Sequence, residues 1–406
     1  EGELKGGVKV FFLGRDEYYD RSYLYGTPQG AYFDNADRFI FFCQGVMALG
    51  EQRGWPWEVI HCHDWHTALV PVYLSQRGGS RSVFTIHNMG YQGSFPPDIF
   101  SLTGLPPHLF GPEGLKFRGK LNLLKGGIIF SERLTTGSPT YAQEIQGRRL
   151  GCGLGGVIRR QRGKLIGILN GIDYELWDPQ RDPYIASPFH QGDLRGKRIC
   201  KEDLLRRFDL DLGFLDRPLF GMVSRLTYQK GIDLLSEVIP PLMQRGCALI
   251  ILGMGEARYE RRLKRMASSF PQRMRVEIGF DEALSHKIEA GCDLTLMPSR
   301  YEPCGLNQMC SMRYGTLPVV RDTGGLSDTV QDVDLEEGKG TGFKFGPYEP
   351  EALWGAIERA LQAFRRRSLW EGLMRQAMGC DFSWRRSAQQ YKKVYEGLLS
   401  PADQKA

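Results

Sequence analysis

The sequence predicts an α/β protein built on doubly wound parallel sheets. Two observations lead there. Between Pro218 and Phe345, short apolar runs alternate with stretches of helical spacing, and alternation of strand and helix means a parallel sheet covered on its faces. In addition, the residues best suited to chemistry, His87, Asn170, Arg225, Phe280, Glu302 and Thr323, each follow a predicted strand. In such sheets ligands bind beyond the carboxyl ends of the strands. A chain of 406 residues is expected to hold two domains.

Taken in order, Val8 to Leu13 reads as a strand and Asp16 to Asn35, rich in Tyr, Gly and Asp, as a loop. Asp37 to Leu49 is an amphipathic helix. Glu58 to Cys62 is a strand, followed by His63-Asp64-Trp65-His66 and a helix to Gln76. Ser82 to Ile86 is a strand ending at His87-Asn88. Residues 88–118 read as one long Gly/Pro/Phe loop, a length that is usually functional. A helix at Leu121 to Phe130 and a strand at Arg133 to Gly137 follow. Residues 147–163 are glycine-rich loop, and Leu165 to Leu169 is a strand ending at Asn170-Gly171. The Pro- and Asp-rich residues 171–194 connect to the second domain. There a helix from Arg195 to Phe208 precedes strands at Leu219–Val223, Ala248–Leu252, Arg275–Ile278, Leu294–Met297, Leu317–Val320 and Gly342–Phe345. Leu235, Val238, Ile239 and Leu242 mark one buried helical face, which Pro240-Pro241 should kink or break. Helices at Pro350–Arg365, Ser368–Met378 and Trp384–Leu398 finish the chain, with a frayed tail from Pro401.

Composition narrows the class. A hydrophobic content of 41% with 25% charged residues is ordinary for a soluble globular protein, and no run approaches the ~20 apolar residues of a membrane span. The net charge of +6 is spread along the chain; its tightest clusters, Arg365-Arg366-Arg367 and Arg385-Arg386, read as solvated faces and not as a nucleic-acid surface. A mild positive balance would still attract an anionic nucleotide. Nine scattered cysteines without a C-x-x-C pair argue for a reducing compartment and against structural zinc. The chain opens with Glu1, and its first residues look like an interior linker.

The most informative stretch runs from Asp293 to Thr329. Two strand–turn–helix corners lie side by side in it, residues 299–305 and Thr323-Gly324-Gly325. Each is expected to present unpaired N–H groups at a helix start, a ready place for a diphosphate. The candidate binding set here is Cys304, Gly305, Leu306, Asn307, Thr323 and Gly324, with Cys304 mainly a small packing residue. Glu302 sits inside the first corner. An acid beside an anion site is electrostatically awkward unless a cation also develops there, as it does at the anomeric carbon of a sugar leaving a nucleoside diphosphate. On its own, Glu302 reads as a first-turn helix acid. Arg225 and Lys230 span another strand-to-helix turn and could grip one phosphate pair, Arg bidentately and Lys as a point charge; a solvated basic turn is the alternative. Gly253-Met254-Gly255 imitates the start of a dinucleotide fingerprint, but Arg258 stands where the third glycine belongs, so a plain tight turn explains it better. His61, His63 and His66 lack a further ligand set at metal spacing and read as a polar strand end.

Six motifs then resemble one family in order and spacing: HCHDWH at 61–66, FTIHNMGYQG at 84–93, LNGIDYELWDP at 169–179, VSRLTYQKG at 223–231, RYEPCGLNQ at 300–308 and TGGLSDTV at 323–330. They are similar to bacterial glycogen synthases and to plant or algal starch synthases over nearly the whole chain. The resemblance implies a GT-B fold, two Rossmann-like domains facing across a cleft. The first would be residues 1–170 with a returning helix at 381–400, and the nucleotide-sugar domain residues 171–380. It implies transfer of glucose from ADP-glucose to the non-reducing end of an α-1,4-glucan, with retention and with neither metal nor other cofactor. Location would be cytoplasmic in a bacterium and plastidic in a plant or alga. By the same resemblance Arg225 and Lys230 bind the diphosphate and stabilise the departing ADP, Glu302 serves the glucosyl group, and His87 lies against it. Asp64 contacts sugar or acceptor, Asn170 lies near the phosphates, Phe280 stacks on adenine, and the backbone of Gly305 to Asn307 adds donors.

The family's opening strand and Lys-x-Gly-Gly loop are not matched. Lys5-Gly6-Gly7 imitates that loop but precedes the wrong strand, so the chain reads as lacking the first part of its N-terminal domain. Other readings stay open: a retaining GT-B enzyme using a UDP- or GDP-sugar, an inactive glucan-binding fragment, or an oxidoreductase resting on Gly253 and Gly255.

Overall fold

The structure, a computed structural model, describes residues 1–27, 30–78 and 80–400; the tail from Pro401 lies outside the described residues. The chain divides into two compact units. The first comprises Glu1–Thr136, Ala142–Gly167 and the chain from Tyr391 on, the second Gly137–Tyr141 and Ile168–Gln390. The helix Trp384–Leu399 is therefore shared between them.

The first unit is built on four parallel strands in the spatial order Leu165–Gly167, Arg133–Thr136, Arg81–Ile86, Val59–His63. Each strand lies beside its neighbour in the chain, and helices Leu69–Arg77, Leu123–Phe130 and Gly155–Arg160 lie in the crossovers. Five of the six residues of Arg81–Ile86 are buried, as a central strand covered on both faces requires. Gly127 allows the Leu123–Phe130 helix to approach it, since a Cβ there would stand 2.5 Å from the Phe84 ring. The register pairs His63 with Thr85, which sets the ends of two neighbouring strands, and so His63 and His87, side by side.

Four expectations change in this unit. The Asp16 to Asn35 stretch, read as loop, holds the short helix Asp16–Tyr19 and the paired strands Gly26–Thr27 and Gly30–Ala31. Only Val8–Val10 of the first predicted strand is extended, and it pairs antiparallel with Gly2–Leu4 instead of entering the sheet. Gly6 and Gly7, both at positive φ, form the turn of that hairpin, so the Lys5-Gly6-Gly7 imitation is a turn signal. Residues 88–118 are not one loop. They carry the 3-10 turns Pro97–Thr103 and Pro107–Leu109, and strands Ser94–Phe95 and Lys116–Phe117 that flank Lys120–Asn122 in a small antiparallel sheet. The glycine-rich residues 147–163 likewise contain the helix Gly155–Arg160.

The second unit holds six parallel strands in the order Met274–Ile278, Ala248–Gly253, Leu219–Val223, Leu294–Met297, Leu317–Arg321, Phe343–Phe345. Alternate residues feed two cores, as the two-residue period of a strand demands. Phe220, Leu249, Ile251, Leu294 and Val319 pack on one face with Leu235, Val238 and Ile239. Leu219, Ala248, Ile250 and Leu252 pack on the other with Leu204, Leu205 and Ile288.

The helix Ile232–Gln244 is not broken at Pro240 and Pro241, which lie inside it. Each proline costs about 3 kcal/mol in a helix interior. Val238, Ile239, Leu242 and Met243 are all buried on that helix, and each contributes about 1.5–3 kcal/mol. Burial therefore holds the helix against both breaks.

Candidate active site

From Leu219–Val223 the chain winds outward through Ala248–Gly253 to Met274–Ile278. It then returns to the other side of Leu219–Val223 for the remaining three strands. The switch point is therefore the boundary between Leu219–Val223 and Leu294–Met297, paired through Phe220 with Leu294 and Gly221 with Thr295. Residues 224–231 follow one of these strands and residues 298–306 the other, so Arg225, Lys230 and Glu302 all lie where an open α/β sheet forms its binding crevice.

The two loops are locked together. Gly231 adopts φ +74, and a Cβ on it would stand 2.0 Å from the Pro298 carbonyl oxygen, so only glycine permits this approach. The Arg300 N–H donates to the Gln229 carbonyl at 2.8 Å. Gln229 Nε2 donates to the Tyr301 carbonyl at 3.3 Å, and Gln229 Oε1 accepts from Arg225 Nη2 at 3.4 Å. Gln229 thus links Arg225 to the backbone of the residue that precedes Glu302.

Glu302 is 5% exposed. Its Oε2 accepts from Lys230 Nζ at 2.5 Å and from Ser299 Oγ at 3.1 Å. The cation that an acid in this position requires is therefore supplied by the protein itself. Removing either partner would leave the other charge uncompensated in a largely dry place.

The second corner adjoins the first through backbone. Gly325 N–H donates to the Glu302 carbonyl at 2.9 Å, and a Cβ on Gly325 would lie 2.0 Å from the Cys304 carbonyl oxygen. This corrects one expectation: the Gly325 donor is spent within the protein. Thr323 opens the helix Gly324–Thr329, and Gly324 sits at φ +47. In the first corner the amide N–H groups of Gly305, Leu306 and Asn307 make no hydrogen bond among the described residues. Cys304 is buried and its thiol is pushed up to about 12 by burial, which excludes a thiolate nucleophile at neutral pH. Its Sγ accepts from Asn170 N–H at 3.4 Å, which brings Asn170 to the same corner. Phe280 follows Met274–Ile278, two strands from the switch point, with 86% of its surface exposed.

Gly253 and Gly255 prove to be packing glycines. A Cβ on Gly253 would stand 1.9 Å from the Ser224 carbonyl oxygen, and one on Gly255 2.4 Å from that of Leu226. Leu226 N–H donates to Met254 O, and Glu256 Oε1 accepts from Tyr228 N–H, both at 2.8 Å. The apparent fingerprint is the buttress of the Arg225 loop.

In the first unit, Asp64 and His87 meet at the ends of adjacent strands. Asp64 Oδ1 accepts from His87 N–H at 2.8 Å. Asp64 itself lies at φ +56, a strained conformation of the kind found at functional positions, and burial raises its carboxyl above the usual carboxylate range. His63 Nδ1 and His87 Nε2 share a hydrogen bond of 3.0 Å. Both ring nitrogens of His61 are engaged, by Tyr395 OH at 2.8 Å and Thr85 Oγ1 at 2.6 Å.

The sequence family described as "Starch synthase catalytic domain" matches residues 1–160, and "Glycosyl transferases group 1" matches residues 211–370. A glycogen synthase of Thermodesulfovibrio yellowstonii is 43% identical, with 100% of this chain and 81% of that protein covered. One from Koribacter versatilis is 45% identical, covering 98% and 83%. Among solved structures, the catalytic domain of starch synthase IV from Arabidopsis thaliana, bound to ADP and acarbose, superposes with a TM-score of 0.86. It is 36% identical and covers 91% of this chain and 78% of that one. The sucrose-phosphate synthase of Thermosynechococcus elongatus, 20% identical with a TM-score of 0.59, shares the fold. Among the described residues no helix is long and apolar enough to cross a membrane.

Proposed function

The chain belongs to the glycogen synthase and starch synthase family of GT-B glycosyltransferases, and from that premise we propose its substrates and the work of each residue. The donor is ADP-glucose and the acceptor the non-reducing end of an α-1,4-glucan. The observation that carries this reading is the buried Lys230–Glu302 pair at the switch point of the second sheet.

Leaving-group departure places negative charge on the diphosphate and positive charge on the anomeric carbon. Lys230 and Arg225 are fixed cations for the first, aimed where charge develops and doing the work that a metal ion does elsewhere. Glu302 is the carboxylate for the second. With donor bound, the Lys230 ammonium serves phosphate and carboxylate together, and the carboxylate gains a second cationic neighbour as the glucosyl bond breaks. The amide donors of Gly305, Leu306 and Asn307 add to the anion side, with Asn170 beside them. Thr323 and Gly324 hold the adjoining corner, and the exposed ring of Phe280 serves as the adenine platform. His87, with its backbone fixed by Asp64, serves the glucosyl unit, and Asp64 the sugar or acceptor.

The test is donor competition among ADP-, UDP- and GDP-glucose with glycogen as acceptor, alongside calorimetric binding of the three free diphosphates. ADP-glucose and ADP should be preferred in both. A clear preference for the uridine or guanosine pair would overturn the donor assignment.

A further inference from the structure

Arg300 has no part in the reading above, yet its side chain is held by several groups at the crevice. Its guanidinium lies between two aromatic rings, 3.9 Å from the centroid of Tyr228 and 4.0 Å from that of Tyr348. It forms an ion pair with Asp233, whose other oxygen accepts from Tyr348 OH at 2.7 Å. The Arg300 carbonyl accepts from Arg321, and its N–H reaches Gln229. Four chain segments therefore converge on one residue: the 224–231 loop through Tyr228 and Gln229, the following helix through Asp233, the Leu317–Arg321 strand through Arg321, and the turn before Pro350 through Tyr348.

We propose that Arg300 is a positioning residue for glucosyl transfer, one that fixes the 224–231 loop against the 298–306 loop and so sets where Lys230 stands relative to Glu302. The geometry supports this in two ways. Arg300 is two residues from Glu302, and Tyr228 is two residues from Lys230, so the stacked pair joins the same two loops as the catalytic ion pair. A planar, always-charged group can also be clamped between two rings while pairing with a carboxylate, which an ammonium on a flexible stem cannot reproduce. Arg300 and Glu302 differ in their partners. The Arg300 guanidinium pairs with Asp233 through Nη2 and lies against the two rings, while its buried Nε has no partner among the described residues, so the measurement of ADP affinity decides between a brace and a phosphate ligand.

This rests on the assignment of Lys230 and Glu302 made above, and the experiment separates the two. Arg300→Met and Arg300→Lys are compared with the unaltered protein for turnover of ADP-glucose, for ADP affinity, and for amide hydrogen exchange across residues 224–231. Misplacement of the loop should lower kcat by about 10- to 100-fold. ADP affinity should fall by much less than turnover does, and exchange should quicken in residues 224–231 while the Leu219–Val223 strand stays protected. Lysine should fail to restore the loop. Tyr348→Phe, which keeps the ring but loses the bond to Asp233, should give a smaller effect in the same direction. Unchanged exchange and turnover in Arg300→Met would overturn the proposal. So would a loss of ADP affinity as large as the loss of turnover, because that marks a direct phosphate ligand. Quickened exchange in a protein with no activity toward any of the three sugar nucleotides would leave Arg300 as the loop's brace and overturn the transferase reading alone.

Discussion

Lys230 and Glu302 stand 72 positions apart and meet at 2.5 Å, and the two ends of that contact should behave differently when cut. Glu302→Gln removes the carboxylate and leaves the ammonium uncompensated beside the phosphate site. Turnover should fall by orders of magnitude while ADP affinity holds or tightens, read by initial rates and calorimetry. Lys230→Ala leaves the acid buried without its cation. It should weaken ADP binding and turnover together and cost up to about 3 kcal/mol of stability in denaturant melts. Equal ADP affinity in the alanine variant and the parent would remove Lys230 from the phosphate site. Both residues were legible as candidates because each follows a strand; their pairing was not. Arg300 opens the motif at 300–308 but drew no role from it, and Asp233 and Tyr348 lie in none of the six motifs. Their joint role appears only when four segments distant in sequence meet in space.

At the level of elements, the alternating pattern of the second unit was readable because its strands are buried on both faces and appear as continuous apolar runs, such as Ala248–Gly253. Where a local rule opposed packing, packing prevailed, as at Pro240 and Pro241. The strand at Val8 and the loop at 88–118 were harder, because short strands pairing only with other short strands bury too little to leave a pattern. The first glycine of the apparent fingerprint carries a test of this kind. Gly253→Ala forces a Cβ to within 1.9 Å of the Ser224 carbonyl. It should destabilise the protein by about 3 kcal/mol or more and displace the Arg225 loop. Gly346→Ala has open space around the new methyl and should stay within about 0.5 kcal/mol of the parent. Similar melting of the two variants would show that the close approach at Gly253 is not what holds that loop.

Across the whole molecule, the two units carry ionisable groups that oppose folding at opposite ends of the pH scale. In the first unit, burial pushes His61 down to about 3 and His66 down to about 4. Their folded values lie below the unfolded one, so the unfolded chain binds more protons as pH falls below about 6.5, and stability is lost on acidification. His63 is also pushed down, to about 4, by burial and by His87, but it is the most exposed of the three and contributes least. In the second unit, burial pushes the Glu289 carboxyl up to about 8, outweighing the pull of the Lys197 ammonium and of the Asn307 amide. Here the folded state holds a proton that the unfolded chain has released, so stability falls as pH rises from about 4.5 to about 8. Lys197, pushed down to about 8 by burial, stays protonated through most of that window and does not reverse the sign. Hydrogen exchange followed at about pH 5 and about pH 8 should therefore show the first unit loosening at the acid end and the second at the alkaline end. Glu289→Gln, which mimics the protonated acid, should flatten the alkaline arm in the second unit and leave the acid arm of the first untouched. A substitution that shifted both arms together, or neither, would mean that the pH response does not come from these buried groups.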